Sequence, residues 1–138
     1  MSTQASTAAL ASRRILIGKP GLDGHDIGAK IIALTLRNAG AEVIYTGLRR
    51  SPQQIAQVAV DEGVDAVGLS ILSGSHKELV ADVIVQLRAM KAEGVKVFVG
   101  GTIPAEDHAH LRGLGVSAVF TADMPLERIV AELAESLA

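Results

Sequence analysis

The sequence predicts a doubly wound α/β domain, a five-stranded parallel sheet of order 2-1-3-4-5 with helices on both faces. Two observations carry this. Five short apolar runs alternate with five stretches of helical period, the order expected when a parallel sheet is covered on both sides. Hydrophobic residues make up 49% of the chain and aromatic residues only 2%. The core must therefore be built from Val, Ile, Leu and Ala, which suits buried parallel strands and Ala- and Leu-rich helices. A length of 138 residues is that of one domain.

The apolar runs place strands at Arg14 to Gly18, Glu42 to Tyr45, Ala66 to Ser70, Lys96 to Gly100 and Ala118 to Thr121. Between them, Ile27, Ile31 and Leu34 share one helical face, as do Ile55, Val58 and Ala59, then Leu79, Val83, Leu87 and Met90, and finally Ile129, Leu133 and Leu137. A short helix is expected near Ala105 to Leu111. Gly40, Gly63 and Gly94 stand where the first three helices stop, and Ser51-Pro52 has the cap-then-proline form of a helix start. Residues 1–12, rich in Ala, Ser and Thr, read as a loose tail, which leaves 13–138 as the domain. Right-handed crossovers favour the 2-1-3-4-5 order and put ligands at the carboxyl ends of strands one and three, where the winding reverses.

Charge and composition exclude several functions. The net charge of -2, from 13 basic and 15 acidic residues mixed along the chain, provides no footprint for nucleic acid or anionic lipid. No cysteine is present, so there is no disulfide framework and no thiolate metal site, in keeping with a reducing cytoplasm. No apolar run reaches the ~18 residues of a membrane span, and the first twelve residues lack the pattern of a signal peptide. A soluble, cytoplasmic protein is expected.

The chemistry is expected after Gly18 and after Ser70. The first loop reads Gly18-Lys19-Pro20-Gly21-Leu22-Asp23-Gly24-His25-Asp26-Ile27-Gly28. Its glycine spacing is neither that of a dinucleotide-binding turn nor that of a P-loop. A phosphoacceptor receiver shares the topology but needs an aspartate at the end of strand three, where this chain has Gly68-Leu69-Ser70. What remains is Asp23-Gly24-His25. An imidazole ligates a metal through one nitrogen when a partner orients the other, and a carboxylate two residues away suits that role, with Lys19 able to keep it ionised. From spacing alone, a glycine-rich loop with a surface histidine fits equally well. A lone histidine is a poor site for a free ion. It suffices for a metal that arrives already chelated, so a haem or corrinoid is favoured over zinc.

These residues resemble the D-x-H-x-x-G loop of cobalamin-binding domains, in the K-x-G-x-D-G-H form of acyl-CoA mutases. Ser70-Ile71-Leu72-Ser73-Gly74 is similar to the S-x-L motif after strand three, and Gly100-Gly101 to the paired glycines after strand four. The wording is most similar to the C-terminal domain of ethylmalonyl-CoA and related mutases, with the separate small subunits of isobutyryl- and 2-hydroxyisobutyryl-CoA mutases close by. The resemblance implies a flavodoxin-like (Rossmann-like) fold that binds adenosylcobalamin base-off. His25 would be the lower axial cobalt ligand, Asp23 its hydrogen-bonded partner and Lys19 the residue behind Asp23. Gly21, Gly24, Asp26, Ile27, Gly28, Ser73 and Gly74 would contact the cofactor. Ser70 would meet the benzimidazole nitrogen, Leu72 would wall the slot for the displaced tail, and Gly28, Gly100 and Gly101 would permit close approach. One departure stands out. Relatives carry Gly-Pro-Gly-Thr after strand five, where this chain has Thr121-Ala122-Asp123-Met124; Thr121 would keep its role, and Asp123 is unexpected near an anionic tail.

In the mutases the cofactor supplies radical chemistry and this domain positions it. Nothing in 138 residues is left over to bind coenzyme A, so the resemblance implies a large TIM-barrel subunit that binds the acyl-CoA. A corrinoid carrier for methyl transfer and a non-catalytic cobalamin sensor use the same fold. His108 and His110, about 200° apart on a helix, cannot share a metal and are expected at the surface. His76 is expected near the mouth of the site.

Overall fold

A computed structural model describes residues 9–18, 27–46, 51–71, 76–101, 103–121 and 124–137, leaving aside the side chains of 27, 28 and 76. The elements are β1 (Arg14–Gly18), α1 (Ile27–Asn38), β2 (Glu42–Tyr45), α2 (Pro52–Glu62), β3 (Ala66–Ile71), α3 (His76–Ala89), β4 (Lys96–Gly101), a 3-10 turn (Ala105–Asp107), α4 (His108–Leu114), β5 (Ala118–Thr121) and α5 (Leu126–Leu137). The strands form one parallel sheet in the order β2-β1-β3-β4-β5. The expected architecture is therefore present, with β3 and β4 each one residue longer than the apolar runs indicated. Both extensions lie at the carboxyl ends, where Ser70 pairs with Gly100 and Ile71 with Gly101.

Alternation along the strands sorts the side chains onto two cores. Leu16, Val67, Leu69, Val97, Val99 and Val119 face α2, α3 and α4, packing on Ile55, Ala59, Val80, Val83, Leu87 and Leu111. Ile15, Ile17, Ala66, Phe98, Ala118 and Phe120 face α1 and α5, meeting Ala29, Leu36, Ile129 and Leu133. The expected faces of α2, α3 and α5 are the buried ones.

That of α1 is not. Ile31 and Leu34 are 48% and 51% exposed, while Ala29 and Leu36 are buried and Ile32 and Ala33 pack beside them. Helix α1 is apolar nearly all the way round, so periodicity alone did not fix its rotation. The small Ala29 and Ala33 let the helix sit close to the sheet.

Helix termini follow local chemistry. Ser51 Oγ accepts from the Gln54 amide at 3.1 Å while Gln54 Oε1 accepts from the Ser51 amide at 2.9 Å, a reciprocal capping box ahead of Pro52. Gly63 closes α2 in the left-handed region at φ 61°. Helix α3 ends earlier than Gly94 suggested: the left-handed residue is Lys91 at φ 61°, and the Ala92 amide returns to Leu87 O at 2.8 Å. Helix α4 runs on to Leu114, past the expected end at Leu111, because the left-handed Gly115 (φ 113°) is the residue that stops it.

The expectation of a loose tail over 1–12 is corrected for residues 9–12. Leu10 is 0% exposed and belongs to the α1/α5 core, and its amide donates to Ala39 O at 2.9 Å. Leu10→Ala is therefore expected to cost about 2–5 kcal/mol, the loss of a fully buried side chain. Urea unfolding checks this; a change under about 0.5 kcal/mol, typical of a surface site, would return residues 9–12 to the tail.

Candidate functional site

Toward their carboxyl ends the central strands lose bulk on the face covered by α1 and α5. Strand β3 presents Ala66, Gly68 and Ser70 there, and β4 presents Phe98 and then Gly100. Register sets Gly68 between Ile17 and Phe98, and Gly100 between Ser70 and Phe120. The result is a trough whose floor lacks side chains and whose walls are large. Ile17 forms one wall. Phe98 and Phe120, stacked with centroids 6.0 Å apart and planes 13° from parallel, form the other. Ala29, Ile32 and Leu36 of α1 and Ile129 and Leu133 of α5 cover it in part, leaving a partly open cavity of about 330 Å³.

Its lining carries no charged side chain among the described residues, and the hydroxyls of Ser70 and Thr121 are its side-chain polar groups, both at the carboxyl end. Such a slot suits a flat, largely apolar group that ends in a hydrogen-bonding atom near Ser70. The floor is a cradle that side chains would fill. A Cβ on Gly68 would press to 2.9 Å from Ile17 Cδ1, and one on Gly100 would sit in ordinary contact, 3.7 Å from its nearest neighbour, Phe120 O.

Ser70, Gly100, Gly101 and Thr121, expected at the site, are brought together at one end of the sheet. Gly101 lines the cavity beside Gly100. At φ +131° its missing Cβ makes room for the Ile71 carbonyl oxygen. Lys19, Gly21, Asp23, Gly24, His25 and Asp26 lie outside the described residues, as do Leu72, Ser73, Gly74 and Asp123. Gly18 ends β1, and Ile27 and Gly28 open α1. His76 opens α3. His108 is half-buried, with Nε2 3.4 Å from Ile103 O, and His110 is exposed. Among the described residues no three His, Cys, Asp or Glu side chains gather as a metal site, and no helix is long and apolar enough to cross a membrane.

The slot walls, Ile17, Phe98, Phe120, Ile129 and Leu133, were missed as site residues because each also reads as core. A signal was present: Ala66, Gly68 and Ser70, three small residues at alternate positions, leave the central strand bare on one face.

A doubly wound sheet with an apolar slot at its switch point defines a ligand-binding domain of the flavodoxin-like class. The B12 binding domain family model matches residues 13–134, and the chain belongs to that family. It is 46% identical to ethylmalonyl-CoA mutase of Methylorubrum extorquens over 123 residues, 88% of this chain but 18% of the mutase. The chain thus spans less than a fifth of that relative. It is 42% identical to the 2-hydroxyisobutanoyl-CoA mutase small subunit of Aquincola tertiaricarbonis over 117 residues, 85% of this chain and 86% of that subunit. In fold it matches the crystal structure of a cobalamin-binding protein from Desulfitobacterium hafniense, with a TM-score of 0.77 at 20% identity over 91% of this chain and 59% of that one.

Proposed function

We propose that the chain is the cobalamin-binding small subunit of a two-subunit, adenosylcobalamin-dependent acyl-CoA mutase in the cytoplasm. The carrying observation is the slot of about 330 Å³ with its glycine floor and Ser70 at the carboxyl end. It fits the benzimidazole tail of a cobalamin bound base-off. The matching length of the small-subunit relative supports a separate subunit.

In this reading His25 would hold the cobalt, Asp23 would accept a hydrogen bond from the other imidazole nitrogen and so orient the ring, and Lys19 would keep Asp23 ionised. Ser70 would donate to the benzimidazole nitrogen, and the α1 and α5 side chains would shield the tail from water. When bound, adenosylcobalamin supplies the radical that starts a carbon-skeleton rearrangement. The acyl-CoA is held by a large TIM-barrel subunit, and this chain alone is inactive.

The test is to add adenosylcobalamin to the purified chain and record the visible spectrum, then to record electron paramagnetic resonance of the cob(II)alamin state with ¹⁵N-histidine protein. A histidine nitrogen coupled to cobalt is expected. His25→Ala should remove that coupling, weaken binding about tenfold or more and abolish turnover in the assembled enzyme. Unchanged turnover in that variant would take His25 out of its role, and mutase activity in the isolated chain would remove the need for a partner.

A further inference from the structure

One ion pair joins the two chain segments that leave the slot's floor. Lys77 Nζ lies 3.4 Å from Asp107 Oδ1. Lys77 is the second residue of α3, and Asp107 ends the 3-10 turn before α4. Ile71 and Gly101 are register partners at the ends of β3 and β4. Lys77 and Asp107 each stand six residues beyond them, 77 against 71 and 107 against 101. Strand pairing ties β3 to β4 at Ile71 and Gly101, and the ion pair ties the start of α3 to the 3-10 turn at Lys77 and Asp107. Ser70 and Gly100 are the register pair just before those strand ends.

Lys77 is not placed as a helix alone would place it, whereas Asp107 stands at the N-cap of α4, where an acidic residue is favoured. The first turn of α3 is the positive end of that helix, where a lysine is disfavoured. The Asp107 side chain is 15% exposed, against 46% for Lys77. The acceptor side is fixed: the Asp107 amide donates to Pro104 O at 3.0 Å, and Ile103 is buried in the core. An ion pair with one half-exposed partner adds little to global stability. Its distinctive property is the pair of segments it spans.

We infer that Lys77 and Asp107 form a positioning brace for the cofactor site. The brace holds the β3 and β4 outlets at a set separation and so keeps Ser70 and Gly100 in register with the ligand tail. Neither residue needs to touch the ligand. The inference rests on the cobalamin reading of the slot.

The test measures adenosylcobalamin affinity and dissociation rate on the full chain, beginning with the unaltered protein. Lys77→Met and Asp107→Asn should each raise Kd about fivefold, mainly through faster dissociation. The ligand-free melting temperature should stay within about 2 °C. Lys77→Arg should bind within about twofold of the unaltered chain. The double variant should be no weaker than either single, about fivefold rather than the roughly 25-fold of independent sites. Should Asp107→Asn not fold, the contrast between Lys77→Met and Lys77→Arg decides. Native affinity in Lys77→Met, or additive loss in the double variant, would overturn the brace alone. Failure of the unaltered chain to bind would overturn the cobalamin reading and the brace with it.

Discussion

Gly100→Leu is expected to fold as firmly as the natural chain and to lose adenosylcobalamin binding by about a hundredfold or more. A Cβ on Gly100 meets nothing closer than Phe120 O at 3.7 Å and Phe120 Cβ at 3.9 Å, ordinary contact distances. The rest of the side chain would extend between the sheet and the α1 and α5 side chains, into the cavity of about 330 Å³. Filling an apolar cavity with apolar atoms is neutral or mildly stabilising. For a ligand tail the same atoms are an obstacle. If they displace the equivalent of about four buried methylenes at roughly 0.8 kcal/mol each, binding weakens by about 3 kcal/mol, or two orders of magnitude in Kd. Gly100→Ala, with a single added carbon, should weaken binding about tenfold or less. Absorbance titration with adenosylcobalamin, run beside urea unfolding, checks both terms. Native affinity in Gly100→Leu would mean that the tail does not lie in this slot, and the proposed function would lose its carrying observation.

The sheet was legible because its strands are short, strongly apolar and separated by helical stretches, so each boundary was set by local composition. The capping box at Ser51 and Gln54 was legible in part, as Ser51 ahead of Pro52, because capping is decided by neighbours in sequence. The rotation of α1 was not. With Ile27, Ile31, Ile32, Leu34 and Leu36 spread around the helix, only packing against the sheet chooses between faces, and it chose the one carrying Ala29 and Ala33. Leu10 was hidden for a related reason: one leucine in a run of small polar residues has no period to reveal it. At the site, Ser70, Gly100 and Thr121 could be named from motifs at strand ends, whereas the walls could not. Phe98 and Phe120 become a wall only when β4 and β5 pair in the observed register.

Gly101→Ala should behave in the opposite way to its neighbour, losing stability first and binding as a consequence. Gly101 sits at φ +131°, a backbone conformation that L side chains rarely adopt, and a Cβ built there would collide with the Ile71 carbonyl oxygen. Ile71 is its own register partner, the last residue of β3, so the collision is with backbone and cannot be relieved by a rotamer change. Either the ends of β3 and β4 part, breaking the pairing that frames the slot, or Gly101 takes a new conformation and redirects the segment that follows. Unfavourable backbone conformation costs about 1–3 kcal/mol, and displacing a paired strand end brings the total to about 4 kcal/mol, in the range kept for named steric faults. For a chain of 138 residues that corresponds to a fall in melting temperature on the order of 15 °C. Calorimetry of the ligand-free chain measures it, and excess adenosylcobalamin should recover part of the loss by mass action. A melting temperature within a few degrees of the natural chain would show that β4 ends before Gly101 in solution. The paired glycines would then both serve the ligand, and Gly101 would join Gly100 as a floor residue.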